Sequence, residues 1–478
     1  MDNLNNQQLP NRKEQFLTHF DRLAPVYTKY KKRYAYYWRD ITAYINYFLT
    51  NDQSILDVGC GTGDTLSKLK GGRKVGIDFS ANMIEQAKLQ YPQNEFHLMD
   101  AEKIKIDEKF DVVILSNVIG YFENIQDILL SLKKVCKPNT RIIITYYNVL
   151  WEPFLHFGEW IGIKKKSPRQ NWLSVRDIKN LLYLSGFDPY RVSRRILIPL
   201  NIPIISYFFN KIIGRLPIFN IFNLNYFVFA RPNLKPEKEY STSIVIPARN
   251  ESGNIENAIL RMPDFGKHLE IIFIEGNSTD DTWETIQKIQ KKYEGQYDIK
   301  IDRQNGKGKG DAVRKGYEMA TGDILMILDA DLTVPPEELP KFYDALASGK
   351  GEFINGSRLV YPMDKNAMRP LNIMGNKFFS LAFSWILEQP IKDTLCGTKV
   401  MFRKDYERLA RNRDFFGDFD PFGDFDLIFG AYKLNLKIID LPITYRERTY
   451  GDTNISRFRH GFILLRMMFF AIAKIKFW

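Results

Sequence analysis

The chain has 478 residues, too many for one ordinary hydrophobic core, so its length predicts two or three domains. Hydrophobic residues make up 45% and charged residues 26%, a globular composition that excludes a disordered chain and a polytopic membrane protein. The formal net charge of +12 favours an anionic partner, but does not choose among nucleic acid, nucleotide phosphates and a membrane face.

The sequence predicts neither a secretory signal nor a membrane-spanning helix. Residues 1–14 are polar and rich in Asn and Gln. The apolar runs at 196–209 and 462–473 are interrupted by Pro, Asn or Arg before they reach the roughly 20 residues that a spanning helix needs. Three dispersed cysteines show no disulfide or zinc-ligand spacing. We expect a cytoplasmic protein, with peripheral attachment to the cytoplasmic membrane face as an option.

Apolar strands alternate with helical patterns in two regions of the chain, which predicts an α/β fold with mainly parallel sheets in each. A polar stretch with two prolines separates the strand-like runs at 225–230 and 243–246. The predicted organisation is a first domain at 1–232, a linker at 233–240 and a second domain at 241–478 with an amphipathic tail at 459–478.

The first strand of the first region, at 54–58, leads directly into a glycine-rich loop. Gly59, Gly61 and Gly63 let the backbone turn tightly and approach a ligand without a Cβ in the way. The next strand ends in Asp78, from where a carboxylate accepts hydrogen bonds from ribose hydroxyls. Such a loop alone is also typical of an ordinary turn, but the strands that follow favour a nucleoside site.

Two further strand ends extend this predicted site. Asp100 and Ala101 close a third strand-like segment. A fourth strand brings Ser116 and Asn117 to its carboxyl end, where ligands of open α/β sheets bind. Ser116, Asn117 and the nearby Tyr121 are therefore either substrate contacts or structural residues of the strand end.

Residues 14–232 resemble the class I S-adenosylmethionine (SAM)-dependent methyltransferases, through Asp57-Val-Gly-Cys-Gly-Thr-Gly63 and the order of the strands after it. The resemblance implies a Rossmann-like sheet in which the loop cradles the methionine part of SAM, Asp78 holds the ribose, and Asp100 with Ala101 borders the adenine. Tyr27, in an opening helix that includes His19, is either a cofactor contact or part of the core. No methyl acceptor or general base is indicated. The predicted SAM-binding residues are Asp57, Gly59, Gly61, Gly63, Asp78, Asp100, Ala101, Ser116 and Tyr27.

The second region begins with a strand that leads into a proline-fixed turn carrying a cation and a carboxylate, which suits a nucleoside diphosphate at a strand end. The next strand delivers Glu275, which we expect to bind base or ribose. Ser278 or Thr279 is predicted to cap the following helix. The turn residues assigned to the nucleotide sugar are Pro247, Ala248, Arg249 and Glu251, and Lys309 is added from a Gly- and Lys-rich segment.

A wholly apolar strand that begins at Ile324 ends in Asp329-Ala330-Asp331. Two carboxylates separated by one residue at a strand end present oxygen ligands to Mg²⁺ or Mn²⁺, and such a metal neutralises a departing nucleoside diphosphate. Asp329, Ala330 and Asp331 are therefore predicted to contact the nucleotide sugar, with Asp331 and Asp329 on the metal.

Residues 241–458 resemble the family 2 glycosyltransferases of GT-A fold, and among them the polyprenyl-phosphate sugar synthases of the dolichyl-phosphate mannosyltransferase type. The motifs that carry the resemblance are Ile246-Pro-Ala-Arg-Asn-Glu251, Asn277-Ser-Thr-Asp-Asp-Thr282, Asp329-Ala-Asp331 and Asp393-Thr-Leu-Cys-Gly397. It implies inversion at the anomeric carbon, with Asp426 as the first candidate base and Asp424 as the second. These two aspartates either share one side of a strand or, for Asp426, open a helix.

The second region departs from the family pattern in one place and lacks another signature. Glu275-Gly276 stands where the family commonly has paired aspartates, so the preference for base or sugar is open. The Gln-x-x-Arg-Trp signature of processive synthases is absent, which favours transfer of a single sugar.

Basic residues of the second region are predicted to engage the phosphate of donor or acceptor, because guanidinium groups bind phosphate with two hydrogen bonds. The alternative is a solvated role. The tail at 459–478 either lies in a membrane interface or packs against its own domain. The arginines assigned here are Arg358, Arg446, Arg448 and Arg457.

The sequence therefore predicts a bifunctional enzyme. Its second half transfers one sugar from a nucleotide-diphosphate sugar to a polyprenyl phosphate, and its first half methylates an acceptor that the sequence does not identify. One alternative gives the glycosyltransferase a soluble metabolite or glycan as acceptor, and another makes the first half a SAM-binding sensor or a scaffold. No nucleic-acid partner is expected, because the basic residues are dispersed and no reader motif is present.

Overall fold

The chain divides into two structural units, Met1–Leu234 and Lys235–Trp478. The computed structural model describes residues 12–162, 164–166, 168–233, 238–361, 370–411, 424–448, 450 and 457–477. The predicted linker at 233–240 lies partly outside these residues. Both units are α/β with mixed sheets, and the predicted fold class is confirmed.

The first unit is built on a seven-stranded sheet with the order β3-β2-β1-β4-β5-β7-β6. Its strands are β1 (Ser54–Val58), β2 (Arg73–Asp78), β3 (Glu95–Leu98), β4 (Phe110–Ser116), β5 (Cys136–Tyr147), β6 (Phe187–Arg195) and β7 (Asn225–Pro232). Its helices are α1 (Arg12–Arg33), α2 (Ala35–Phe48), α3 (Asp64–Ser67), α4 (Ala81–Gln90), α5 (Ile125–Leu132), α6 (Glu152–Trp160), α7 (Val175–Leu184) and α8 (Ile205–Lys211).

The central parallel strands β1 and β4 are buried at nearly every position, which explains why most of their residues are apolar. Only β7 runs antiparallel to its neighbours β5 and β6. β1 pairs with both β2 and β4, so the loops after these strands lie at one edge of the sheet. A ligand site of an open α/β sheet is expected at this edge.

The second unit also contains a seven-stranded sheet, with the order β10-β9-β8-β11-β13-β12-β14. Its strands are β8 (Ser241–Ala248), β9 (His268–Glu275), β10 (Asp298–Arg303), β11 (Ile324–Ile327), β12 (Phe353–Ser357), β13 (Lys399–Phe402) and β14 (Ile438–Pro442). Its helices are α9 (Ile255–Leu260), α10 (Thr282–Lys292), α11 (Lys309–Met319), α12 (Leu339–Ala347), α13 (Pro370–Leu387), α14 (Arg403–Ala410), α15 (Asp424–Lys433) and α16 (Arg457–Ala471).

In this sheet β8, β9, β10 and β11 are parallel, while β13 is antiparallel to β11 and to β12. The core is continuous across β8, β9 and β11, where Ile244, Phe273 and Met326 are almost completely buried. Since β8, β9 and β11 point the same way, the residues that follow Ala248, Glu275 and Ile327 come together at one edge.

The predicted tail forms α16 and a π-helical turn, Ile472–Lys476. It packs partly on its own unit, where Met467 and Ala471 are buried, while Phe462 and Phe469 stay exposed. Each of the two interpretations of the tail therefore fits part of its surface. Within the described ranges, no helix combines the length and apolar character needed to cross a membrane.

Two candidate functional sites

The glycine-rich loop of the first unit adopts a backbone conformation that requires glycine. Gly59, Gly61 and Gly63 have φ of +74°, +54° and +77°, the left-handed region that side chains disfavour. A Cβ on Gly61 would lie 3.2 Å from a ring carbon of Tyr27, so the loop passes directly under that aromatic side chain. The Tyr27 ring of α1 therefore packs closely on the backbone of the loop, and a side chain at position 61 would push it away.

Asp78, at the end of β2, anchors the loop. Its Oδ2 accepts a hydrogen bond from the Gly61 N–H at 2.8 Å, and its Oδ1 accepts one from the Ser80 N–H at 3.0 Å. Burial raises the pKa of Asp78 to about 6. Each carboxylate oxygen has a second lone pair, so Asp78 can still accept hydrogen bonds from a ligand's hydroxyl groups.

Asp57, at the end of β1, is 1% exposed. Burial raises its pKa to about 7, which nearby Lys31 opposes. Its Oδ1 has no hydrogen-bond partner within the described part of the chain. A buried acceptor of this kind is expected to find a donor.

A cavity of about 170 Å³ lies over this edge of the sheet. Most of the predicted SAM-binding residues line it, whereas Asp57 and Gly63 do not. Gly63 instead packs behind the loop, where a Cβ would meet the Phe96 ring at 2.7 Å. The predicted residues that line the cavity are Tyr27, Gly59, Gly61, Asp78, Asp100, Ala101 and Ser116, joined by Asn117 and Tyr121.

Lys13 of α1 contacts the cavity residue Asp100 with an ion pair of 2.5 Å and also pairs with Glu102 at 2.9 Å. Asp100 Oδ1 in turn accepts a hydrogen bond from the Glu102 N–H. Lys13 was not predicted, because it lies just before residues 14–232, the part of the chain that resembles the methyltransferases. The helix α1 is thereby fixed over the cavity at its amino end.

The predicted opening helix that includes His19 and Tyr27 forms part of the remaining cavity wall, but sequence reasoning did not identify the other residues of this wall. α1 and α2 contribute Phe16, Phe20, Tyr30 and Trp38, and three consecutive lysines lie at another side. His19 also lines the cavity, and burial together with the charges of Arg22, Lys164 and Lys165 lowers its pKa. A neutral imidazole is therefore available there near neutral pH. The lysines of this wall are Lys164, Lys165 and Lys166.

In the second unit, Arg448 bridges two carboxylates that the sequence places far apart. Its guanidinium nitrogens lie 2.6 Å from Glu251 Oε1 and 2.6 Å from Asp331 Oδ2. Asp331 Oδ1 accepts hydrogen bonds from the backbone N–H and the hydroxyl of Thr333. The structure thus brings together Glu251 from the β8 turn, Asp331 from the β11 end and Arg448 from the loop after β14.

The neighbouring carboxylate, Asp329, pairs with Lys309 at 2.5 Å. Although burial by itself would raise the pKa of Asp329, Lys309 and the charges of Lys399 and Arg358 lower it. A Cβ on Gly397 would lie 2.2 Å from Asp329 Oδ2 and 2.3 Å from Lys309 Nζ. The glycine of the Asp-Thr-Leu-Cys-Gly motif is therefore required so that the backbone can pass beside this ion pair.

The turns after β8 and β9 are locked together, and here the predicted helix cap is wrong. Ser278 Oγ accepts a hydrogen bond from the Asn250 N–H at 3.0 Å, and the Thr279 N–H donates to Asn250 Oδ1 at 2.8 Å. The first helical N–H group, at Thr282, instead donates to Asp280 Oδ1 at 3.1 Å. The Ser278 hydroxyl thus pairs with the backbone of Asn250 and the Thr279 hydroxyl with its side chain, so both hydroxyls join the two turns.

The other residues assigned to the nucleotide lie at this edge. Glu275 is 3% exposed and accepts a hydrogen bond from the Ser278 N–H at 2.5 Å. Pro247 and Ala248 end β8, Arg249 follows with an exposed side chain, and Ala330 is buried between the two aspartates. Glu275 is thus buried and binds the backbone of the following turn, which is a structural role.

Arg358 forms a buried bidentate ion pair with Asp393. Its Nε and a terminal nitrogen lie 2.7 and 2.9 Å from the two carboxylate oxygens, which also accept a hydrogen bond from Asn376. Although burial by itself would raise the pKa of Asp393, Arg358 holds it well below its ordinary value. The structure commits these two nitrogens of Arg358 to Asp393, so a role for Arg358 on phosphate stays a prediction.

Removing one partner of this pair should be far more costly than removing a partner of a matched exposed pair. Asp393→Ala is expected to lower the free energy of unfolding by about 3–5 kcal/mol, because it leaves the Arg358 charge buried and unpaired. The control is Glu337→Ala, whose carboxylate makes the same bidentate contact with Arg261 at an exposed site. Its cost should be below about 1 kcal/mol. Equal costs in urea unfolding would contradict this account.

The remaining predicted residues are only partly described. Asp424 and Asp426 lie on α15, so a shared strand is wrong and a place in the first turn of a helix is confirmed for Asp426. Asp426 is 6% exposed, while the side chains of Asp424 and Arg457 lie outside the described residues. Arg446 has an exposed side chain, and its backbone N–H donates to Thr333 O at 2.9 Å.

The carboxylates at the end of β11 fit a hard divalent cation. Within the described ranges, no group of three or more His, Cys, Asp and Glu side chains forms a closed metal cage. Magnesium does not need one, because it is usually held by one or two carboxylates with substrate phosphates and water. Asp329 is paired with Lys309 and Asp331 with Arg448, so a metal would share these carboxylates with the two cationic side chains.

Comparison with known proteins separates the two halves of the chain. The sequence profile of glycosyl transferase family 2 matches residues 243–411, and that of a methyltransferase domain matches residues 49–180. A dolichol-phosphate mannosyltransferase of Pyrococcus furiosus is 30% identical over 222 residues, 45% of this chain and 58% of that protein. The glycosyltransferase AglJ of Haloferax volcanii is 30% identical over 223 residues, 46% of this chain and 68% of AglJ.

A solved SAM-dependent methyltransferase of Thermotoga maritima is similar to the chain with a TM-score of 0.37 and 14% identity, covering 45% of this chain and 99% of that one. The glycosyltransferase match includes Glu251, Asp329, Asp331 and Gly397, and the methyltransferase match includes the loop at 59–63. The chain therefore belongs to glycosyl transferase family 2 through its second unit and carries a methyltransferase domain in its first.

Proposed function

We propose that the second unit transfers a single sugar from a nucleoside-diphosphate sugar to a polyprenyl phosphate. The observation that carries this proposal is the joining of Asp331, Glu251 and Arg448 at the end of the buried strand β11. The likeness to a dolichol-phosphate mannosyltransferase supports the class of acceptor. A phosphate oxygen of the acceptor attacks the anomeric carbon as the bond from that carbon to the diphosphate breaks, which inverts the configuration.

Asp329 and Asp331 would hold Mg²⁺ or Mn²⁺, which when bound supplies positive charge to the departing nucleoside diphosphate. Lys309 holds Asp329 at its place, and Arg448 has a planar fork that suits a phosphate group. Asp426 is assigned as base only for an acceptor hydroxyl. A phosphate monoester has its second pKa near 6, so its oxygen is already ionised near neutral pH and needs no base.

A lipid tail on the acceptor is supported by the surface of α13 and α16. Leu371, Met374 and Leu381 of α13 are exposed, as is Phe462 of α16. Exposed apolar side chains on helices suit contact with an isoprenoid chain or with the surface of a bilayer.

The test of this proposal is the product formed from a radiolabelled nucleotide sugar. We expect label in the organic phase when polyprenyl phosphate is present, and none when the dephosphorylated polyprenol or a soluble glycan replaces it. Transfer to a soluble acceptor with none to the lipid would overturn the assignment of the acceptor. Nucleotide-sugar hydrolysis without either product would contradict a transferase.

Two arginines of the second unit, one inside the site and one away from it, provide a matched test. Arg448→Lys is expected to lower sugar transfer about 100-fold, because an ammonium group cannot bridge Glu251 and Asp331 with two nitrogens. The control is Arg403→Lys at the opposite end of β11, where an exposed arginine pairs with Glu407, and it should change the rate less than about threefold. Steady-state rates with saturating donor distinguish the two variants, and a similar loss in both would contradict the assignment.

We propose further that the first unit binds SAM and transfers its methyl group, with His19 as the general base. His19 lines the cavity opposite the glycine loop and its lowered pKa keeps the imidazole neutral. The acceptor loses a proton to His19 while its oxygen or nitrogen takes the methyl group from the sulfonium. Burial raises the pKa values of the cavity tyrosines Tyr27, Tyr30 and Tyr121, so they stay protonated near neutral pH and are not available as bases.

His19→Asn is expected to slow methyl transfer at least about 100-fold while SAM affinity stays within about threefold. The measurement is S-adenosylhomocysteine release with a panel of hydroxyl- and amine-bearing acceptors, beside calorimetry of SAM binding. Loss of SAM binding in this variant would show that His19 supports the cofactor instead. Full turnover in the variant would exclude His19 as the base.

A further inference from the structure

The connection between β6 and β7 is much longer than the fold requires. These strands are antiparallel neighbours, which a hairpin of two to five residues can join, yet the chain inserts residues 196–224 between them. The insertion contains no acidic residue, and Lys211 and Arg215 are its two basic ones. A long insertion in a compact domain is usually functional.

In this insertion polar side chains are buried and large apolar side chains are exposed, the reverse of an ordinary surface segment. Its polar side chains Ser206, Asn210 and Asn223 are buried and satisfy its own backbone. Asn210 Oδ1 accepts hydrogen bonds from the N–H groups of Leu197 and Ile198, each at 2.7 Å, and Asn223 Nδ2 donates to Gly214 O at 2.7 Å. The large apolar side chains are left on the outside.

These outward side chains form one surface together with α6. Ile204 is 84% exposed and Ile218 is 75% exposed, and on α6 Trp160 is 78% exposed. The two segments touch, because the Trp151 indole N–H donates to Phe222 O at 2.7 Å. We call residues 149–161 and 200–222 the apolar face. A contiguous apolar surface of this kind is rare unless it has a partner.

Basic residues follow the α6 end of this face. Lys165 and Lys166, just after α6, and Arg169 have exposed side chains. The whole first unit, residues 1–234, contains 32 Lys and Arg against 21 Asp and Glu, whereas residues 235–478 contain 36 against 35. Nearly all of the chain's net charge therefore belongs to the unit that carries the apolar face, which favours an anionic and apolar partner.

We propose that the apolar face docks the first unit on the surface of an anionic lipid bilayer. The exposed Ile, Phe and Trp side chains enter the boundary between headgroups and acyl chains, and the nearby lysines bind the anionic headgroups. None of the described helices is long and apolar enough to span, so the face lies in the interface. This inference is independent of the sugar acceptor, which concerns α13 and α16 of the second unit.

Vesicle flotation of the full chain tests this inference with matched pairs of substitutions. We expect binding to phosphatidylcholine vesicles that contain phosphatidylglycerol, weaker binding at high salt, and little binding to phosphatidylcholine alone. The double variant Ile204→Ser/Ile218→Ser should lose at least about tenfold in partition coefficient. The control Leu89→Ser/Leu98→Ser removes two exposed leucines at the other edge of the sheet, near β3, and should bind normally.

A third variant, Leu381→Ser/Phe462→Ser, shows whether the second unit, and not the first, binds the vesicles. If it abolishes flotation while Ile204→Ser/Ile218→Ser does not, the second unit docks and the inference is wrong. It is also wrong if the chain does not float, or if light scattering shows a dimer that Ile204→Ser/Ile218→Ser dissociates, because a second copy then covers the face. Equal binding to neutral vesicles would overturn the role of the lysines and of anionic lipid.

Discussion

Asp331→Asn is expected to lower sugar transfer about 1000-fold while leaving the fold intact. Asp331 is half-buried at the end of β11 and is the carboxylate that the structure joins to both Arg448 and Glu251. The amide keeps the shape but loses the charge that would hold a divalent cation at the diphosphate. A metal that stabilises the departing charge contributes several kcal/mol, and each 1.36 kcal/mol is tenfold in rate.

The matched control for this prediction is Asp323→Asn, at the opposite end of the same strand. Asp323 accepts hydrogen bonds from the N–H and the hydroxyl of Ser241 and lies away from the predicted site. We expect a rate within about threefold of the parent chain, with a modest loss of stability. If both variants lose activity equally, or if Asp331→Asn retains it, Asp331 does not act on the nucleotide sugar.

The second large effect is expected at the other site, where Asp78→Asn should weaken SAM binding about 100-fold. The Asp78 carboxylate accepts hydrogen bonds from Gly61 and Ser80, and its further lone pairs face the cavity. An asparagine offers one oxygen and places an NH₂ group against these donors. Loss of the two hydrogen bonds that hydroxyl groups of SAM are expected to donate to this charged carboxylate is worth about 3 kcal/mol. Calorimetry measures the change directly.

The control is Asp111→Asn. Asp111 lies near the start of β4, at the end of the strand away from the cavity, and it binds Ser54 and Lys137 there. SAM affinity should be unchanged in this variant. Burial raises the pKa of Asp78 to about 6 and that of Asp57 to about 7. In the ligand-free protein the folded state therefore binds these two protons more tightly than the unfolded state does. This contribution to stability is present below the unfolded value of about 4 and is lost as the pH rises through about 6–7.

A cationic sulfonium and ammonium favour the ionised carboxylates, so the gain in Tm from SAM is expected to be larger at about pH 8 than at about pH 5. Asp78→Asn should reduce this difference. A gain in Tm that does not change with pH in the parent chain would contradict the role given to these two carboxylates.

Much of the framework could be predicted because local sequence and sheet topology agree. Ser54–Val58 is predicted as a strand and is β1, and the glycines of the loop that follows it, Gly59, Gly61 and Gly63, adopt the positive φ that only glycine tolerates easily. The Asp-x-Asp at 329–331 follows a strand that is buried at every position, which fixed its place at the edge. Such features depend on residues that are close in sequence.

Contacts between distant segments could not be predicted in the same way. The bridge from Arg448 to Glu251 and Asp331 joins three loops, and the sequence suggested a phosphate role for Arg448 without showing its carboxylate partners. Ser278 and Thr279 had the right chemistry for a cap, but Asn250, from another loop, took their hydrogen bonds. His19 was part of a predicted helix, and only the fold turns its ring toward the cavity.

The apolar insertion shows a third kind of limit. Its interrupted apolar run excluded a spanning helix, which agrees with the structure, but the run alone does not tell a core segment from a surface one. The difference arises because buried Asn210 and Asn223 satisfy the backbone from within. The direction of the side chains therefore follows from tertiary hydrogen bonds.

The central claim is that the second unit is a sugar-transferring enzyme with its nucleotide-sugar site at Asp331. The most direct measurement follows nucleoside diphosphate release by the purified full chain from a panel of nucleotide sugars, with Mn²⁺ and polyprenyl phosphate, beside Asp331→Asn and Asp323→Asn. We predict release from one donor that requires the lipid phosphate, persists in Asp323→Asn and is lost in Asp331→Asn. Release from no donor, or release that survives Asp331→Asn, would contradict the claim.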